Sequence, residues 1–297
     1  MKIIQKLKIR NKEFSSHPIT KDNRIKALSR YIIFNFVNRY KKNIKYKWVG
    51  KLVFYANKGD AGIVGNIYYG LYEFNESMFI LHYLRESDLF LDVGANVGHY
   101  SLLASGIKNC NSIAIEPVPK AFNQLKELVK LNKLEDKVAT QNIGISNMCS
   151  EMYFSTDKNT MNRIVSKNYK NSVKIPVKTL DFICEDMDVS ILKIDVEGYE
   201  KFALEGGKIL LSNKNLNIVI IEINFSNKFY GVKNEEVEEI LLQNNFLPYE
   251  YDPIKRKISE LNSYNKTQFN TIFIKDISLV KERIKTSAKI KVWNKLI

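Results

Sequence analysis

Residues 89–116, LFLDVGANVGHYSLLASGIKNCNSIAIE, constrain the fold more than any other stretch. An apolar run at 89–93 closes on Gly94, a helical pattern of about ten residues follows, and a second apolar run ends at Glu116, the layout of a βαβ unit. Parallel strands joined in this way need a crossover, which commits the chain to an α/β sheet. The turn Gly94-Ala95-Asn96-Val97-Gly98 offers a nucleoside cofactor glycines that let backbone N–H groups approach, with a helix N-terminus behind them. Glu116 follows Gly94 by 22 residues. That matches the offset of about 20 at which a carboxylate on the second strand accepts hydrogen bonds from ribose hydroxyls. Asp92, two residues before Gly94, can face the cofactor or brace the turn through backbone N–H groups. Asn96 stands where the dinucleotide fingerprint G-x-G-x-x-G has its second glycine, and a side chain there obstructs a pyrophosphate. S-adenosyl-L-methionine has no phosphate and tolerates the Asn. It is the expected cofactor; a nicotinamide or flavin dinucleotide and a ligand-free structural turn are the alternatives.

The downstream chain repeats the strand and helix order. Residues 121–131 have helical spacing, 138–145 read as the third strand, and 189–196 (VSILKIDV) and 217–223 (NIVIIEI) are apolar runs suited to strands covered on both faces. Alternation of this kind predicts a mostly parallel, doubly wound sheet. Strands at 247–251 and 271–275, separated by a turn, are expected to close it as an antiparallel edge pair. Asn142 and Gly144, near the end of the third strand, could receive an adenine edge or form an ordinary turn. The polar stretch 155–172, with Thr160, Asn162 and Arg163, is long enough for a lid or an acceptor-binding segment. Upstream, Ile25, Leu28, Ile32, Phe36 and Arg39 predict a helix over 21–40, packed on the core or lying on a membrane surface. Residues 51–55 read as a strand, 59–70 as a glycine-rich loop or hairpin, and a helix follows from Leu71.

Charge is unevenly spread. Residues 1–58 hold 16 Lys and Arg against Glu13 and Asp22, a net +14, and residues 278–297 hold six against Glu282, a net +5. The chain total is +14, so the middle is mildly acidic at −5. Basic ends suit an anionic partner such as a phosphorylated or lipid-linked glycan, membrane headgroups or nucleic acid; a generally Lys-rich composition is the plainer account. Three scattered cysteines with no C-x-x-C pair argue against a disulfide framework or a zinc site. The N-terminus lacks the apolar segment of a signal peptide, so a cytoplasmic location is expected. The chain divides into a basic extension (1–58), a main domain (59–277) and a basic C-terminal helix (278–297).

Taken in order, YGLYEFNES, FLDVGANVGHYSLLAS, AIEPVP, VKTLDFI, LKIDVEGYE and IIEIN resemble the FkbM-type family of S-adenosylmethionine-dependent methyltransferases over residues 66–276. The resemblance implies a class I Rossmann-like methyltransferase fold, with Asp92, Gly94, Asn96, Gly98 and Glu116 holding the cofactor. It also places Asp195 near the methionine moiety and the acceptor. Glu197 belongs to the same motif, or caps the helix that begins there. Methyl transfer from a sulfonium needs no acid to expel the leaving group, but a hydroxyl acceptor must lose its proton. Asp195 is the first candidate for that proton and His99 the second, although a helix histidine is as readily structural. The acceptor expected from the resemblance is a hydroxyl-bearing sugar, glycan or secondary metabolite. An RNA methyltransferase using the basic ends and a nicotinamide-dependent oxidoreductase are the alternatives.

Overall fold

The computed structural model describes residues 2–57, 60–158 and 161–297. Eight strands form one sheet: β1 (Leu89–Val93), β2 (Asn111–Ile115), β3 (Val138–Gln141), β4 (Val189–Ile194), β5 (Ile218–Glu222), β6 (Leu247–Asp252), β7 (Lys257–Glu260) and β8 (Asn270–Ile274). Their order is β7-β6-β8-β5-β4-β1-β2-β3. β1 to β5 pair in parallel, whereas β8 runs antiparallel to both its neighbours and β7 runs antiparallel to β6. This is the class I Rossmann-like methyltransferase architecture that the motifs implied. The chain works outward from β1 to β3 and then returns to lay β4 on the other side of β1, which opens a crevice at the carboxyl ends of these strands.

Period-two alternation puts an apolar layer on each face of the sheet. On β5, Ile218 and Ile220 pack with Phe79, Ile80, Val280 and Ile284, while Val219 and Ile221 pack with Leu204, Leu210 and Val237. The expected edge pair, β6 with β8, forms, but β7 covers it and is the outermost strand, built from residues expected to be only a turn. The third strand stops at Gln141 because the Asn142 amide donates to the Glu116 and Pro117 carbonyls at 2.9 Å and turns the chain out of the sheet. Gly144–Ile145 then joins Ser150–Ser155, Ile164–Val165 and Ser172–Lys178 in a separate four-stranded sheet.

The extension differs most from expectation. Two helices, α1 (Lys2–Ser16) and α2 (Arg24–Val37), precede a hairpin of Ile44–Lys47 with Val53–Ala56. Along α1, Leu7, Arg10 and Phe14 turn inward, and the cation in the middle of that row hides the helical period. Arg10 is satisfied there by Glu13 at 2.6 Å and Tyr69 at 3.2 Å. α2 turns Ala27 and Phe34 inward, and the stripe of Ile25, Ile32 and Phe36 expected to pack is exposed instead. The described part of 59–70 is a helix, Ala61–Tyr69, because Ile63 and Ile67 recur one turn apart and close onto the core. The expected C-terminal helix ends at Thr286, and Lys291–Val292 pairs with Lys295–Leu296 in a short hairpin. Phe14, Phe34 and Phe54 of the extension share one apolar cluster with Leu102, Leu125 and Val292. Among the described residues, no helix is long and apolar enough to cross a membrane.

Candidate active site

A cavity of about 250 Å³ opens at the carboxyl ends of β1, β2, β4 and β5, partly walled by Phe154 and Ile164 of the small sheet. It gathers Gly94, Asn96, His99, Glu116 and Asp195 from the residues expected at the site. Asp92, Gly98 and Asn142 do not line it.

Around the glycine turn, four of the five N–H groups of residues 94–98 are used within the described chain. Gly94 has φ +78°, and a Cβ there would lie 1.8 Å from the Asp195 carbonyl oxygen; Gly98 has φ +89°, with Leu125 at 2.5 Å from such an atom. Gly94 is therefore demanded by its packing on backbone, and Gly98 by its positive φ. The N–H groups of Gly94 and Ala95 donate to the Ile115 carbonyl at 2.9 Å, and that of Gly98 donates to Ala95 at 2.8 Å. The turn thus differs from the expectation of N–H groups left for a ligand. Asn96, at φ +50°, donates its N–H to Glu116 Oε2 at 2.9 Å, and Val118 donates to Oε1 at 2.8 Å. These two bonds fix the Glu116 carboxylate while leaving each oxygen a second acceptor site. Burial pushes its pKa up to about 7. Asp92 takes the bracing role: its Oδ2 accepts from the Ser101 N–H at 3.1 Å and hydroxyl at 2.6 Å, tying β1 to the first turn of helix His99–Lys108.

His99 is fully engaged. Asn66 Oδ1 accepts from Tyr72 N, so its Nδ2 donates to His99 Nδ1 at 3.0 Å. Nε2–H is left to donate to Ser77 Oγ at 2.8 Å, whose own proton goes to the Tyr72 carbonyl. Burial, with Lys193 nearby, lowers the His99 pKa to about 3. The imidazole is a neutral brace between helices with no free nitrogen for a substrate proton, which corrects its candidacy as a base.

Acids crowd the side of the cavity formed by β4 and β5. Lys193, 2% exposed, faces the same way as Asp195 two residues on, with Nζ 3.3 Å from Asp195 Oδ2 and 5.0 Å from the centre of the Tyr100 ring. Asp195, Glu73, Asp92 and Glu222 together hold this buried ammonium charged, offsetting its desolvation. Glu222, at the end of the neighbouring strand β5, is pushed up to about 9 by burial and then by Asp195. Asn224 donates to Glu222 at 2.9 Å. Glu197 sits at φ +56°, a conformation uncommon outside glycine, and burial followed by the charges of Asp195 and Glu200 pushes it up to about 8. Glu197 does not cap helix Glu200–Glu205, which has no side-chain cap; Glu200 braces the turn before that helix by accepting from the N–H groups of Val196 and Gly198. Asn162 and Arg163 of the polar stretch reach the cavity, where Arg163 lies 3.7 Å from the centre of the Phe229 ring; Thr160 falls outside the described residues. Lys193, Glu73 and Glu222 were not singled out from sequence. A lysine inside an apolar strand, two residues before an acid, was the available signal.

Residues 92–248 match the methyltransferase FkbM domain. The chain belongs to that family. The domain is a methyltransferase domain, and its cofactor is S-adenosyl-L-methionine. The chain is 27% identical over 165 residues to the hexuronic acid methyltransferase AglP of Haloferax volcanii, covering 54% of this chain and 64% of that one. It is 34% identical over 68 residues to the tRNA (guanine(37)-N(1))-methyltransferase of Dictyostelium discoideum, covering 23% and 15%. TYW2 of M. jannaschii, solved in complex with AdoMet, superposes with a TM-score of 0.39 at 14% identity, over 80% of this chain and 88% of that one.

Proposed function

We propose that this FkbM-family member transfers a methyl group from S-adenosyl-L-methionine to a hydroxyl oxygen of a sugar-type acceptor. The observation that carries the reading is Asp195, whose carboxylate faces the cavity that also holds Gly94, Asn96 and Glu116. The residues fit the cofactor. Glu116 has acceptor sites left for ribose hydroxyls, and Ile115, Ile143 and Phe154 offer apolar surface to an adenine ring. A pyrophosphate would meet a turn whose Gly94, Ala95, Asn96 and Gly98 N–H groups are spent and a cavity rich in carboxylates, which disfavours the dinucleotide alternative. Bound there, the cofactor supplies an activated methyl on a positively charged leaving group.

The protein's contribution is placement and proton handling. Glu116 and Asn96 orient the nucleoside end, and the acid cluster favours the positive charges of the methionyl end. Burial and the neighbouring Asp195 raise the pKa of Glu222, and Lys193 lies 3.3 Å from the Asp195 carboxylate. With the cofactor bound, Asp195 would take the proton of the acceptor hydroxyl while the methyl group passed from the sulfonium sulfur to that oxygen. Arg163 forms no ion pair among the described residues and lies against Phe229 at the cavity, which suits an acidic group on the acceptor. A hexuronic acid, the compound in the name of the Haloferax relative, combines such a group with hydroxyls. Incubation with methyl-labelled cofactor, hexuronic acids and fractionated host extract, followed by mass spectrometry, tests the reading. An alkali-stable methyl ether on a sugar is the expected product; an alkali-labile ester, an N-methyl product or label in nucleic acid contradicts it.

A further inference from the structure

Helix α2 carries two apolar stripes, and the fold uses one. Ala27 and Phe34 are buried, with Leu28 and Tyr31 packed beside them. The other stripe faces solvent: Ile25 is 79% exposed, Ile32 48% and Phe36 59%, at positions within about 40° of one another around the helix axis. Ile33 and Tyr40 are also exposed, the latter in edge contact with Phe36 at 5.8 Å. Such a row costs solubility unless something covers it.

Charge indicates what does. Arg24, Lys26, Arg39, Lys41 and Lys42 are exposed along the same segment. Both carboxylates of residues 1–58 are already paired, Glu13 with Arg10 at 2.6 Å and Asp22 with Lys295 at 2.6 Å. Beside the stripe lies a crevice of about 320 Å³ lined by Lys26, Arg30 and Trp293, with no acid on its walls. Arg30 stacks on Trp293 at 3.6 Å, so the C-terminal hairpin completes this basic wall.

We propose that this face of α2 docks on an anionic lipid surface, with the isoleucines and Phe36 entering the headgroup boundary and Lys26 and Arg30 receiving headgroup phosphates. Three of these five exposed apolar side chains are isoleucines, and aliphatic groups beside basic ones match a lipid interface, whereas single-stranded RNA would call for a face made mainly of aromatic stacking platforms. A second copy of this chain is disfavoured because each such face belongs to a segment of net charge +14.

Flotation of the whole protein with vesicles of phosphatidylcholine, alone or mixed with phosphatidylglycerol, tests this. Binding to the mixed vesicles only is expected, weakened at least about tenfold both by Ile32→Ser with Phe36→Ser and by Arg24→Glu with Lys26→Glu. All four positions lie outside the catalytic cavity, and methyl transfer to a soluble acceptor should be unchanged. Failure to float with anionic vesicles, equal flotation of the apolar variant, or a dimer that the same substitutions dissolve would each overturn the proposal. So would RNA binding that survives Ile32→Ser with Phe36→Ser.

Discussion

The two halves of the cavity are stabilised in opposite ways. On the side proposed to take the nucleoside, the N–H groups of Gly94, Ala95, Asn96 and Gly98 all have partners within the chain, and Glu116 is clamped by two N–H groups. On the side proposed to take the acceptor, Asp195, Glu197 and Glu222 crowd around a buried lysine, and burial followed by the charge of Asp195 raises the pKa of both glutamates. The first half is fixed geometry with one raised acid, Glu116 at about 7, so ribose binding should follow that single titration. The second is a charge balance, in which removing one member changes the rest.

Asp195→Asn should expose this difference most sharply. Turnover is expected to fall by about 10²–10⁴-fold with little change in cofactor affinity, measured by steady-state kinetics alongside calorimetry. A comparable loss of cofactor affinity would mean that the halves are not separable. Lys193→Met comes next. It leaves several acids without their buried counter-charge, so stability should drop by about 3–5 kcal/mol in urea denaturation. A neutral outcome would show that the carboxylates compensate by taking up protons.

How much of this contrast was legible in the sequence follows from the physics of each half. The βαβ unit, the position of Glu116 and the location of Asp195 at a strand end all follow from spacing, because parallel strands and crossovers admit few arrangements. Roles decided by side-chain partners were not legible. Asp92 and His99 sit within the motif but spend their polar atoms on Ser101, Asn66 and Ser77. Asn142 likewise spends its amide on the backbone that ends β3. Lys193 was hidden because an apolar strand pattern draws attention away from its one charge. In α2 both stripes are apolar, so periodicity could announce a helix but not which side would meet the core.

Smaller effects refine the contrast. Glu116→Gln keeps the size of the side chain but loses its charge, and cofactor binding should weaken by about 10- to 100-fold with turnover at saturation nearly kept. Glu222 is raised from 4.5 to about 9 in the fold, so the folded state binds its proton more tightly than the unfolded chain. The resulting stability is fully present below the unfolded value and is lost as pH rises through that window. Thermal melts of Glu222→Gln should therefore decline less than those of the parent between these two values. Identical slopes would remove Glu222 from the charge balance.

The most direct measurement is a crystal structure of the protein with S-adenosylhomocysteine. The ribose hydroxyls are expected on the Glu116 carboxylate, with the sulfur directed toward Asp195. A ribose bound elsewhere, or a sulfur facing away from Asp195, would contradict the division of the cavity into a nucleoside half and an acceptor half.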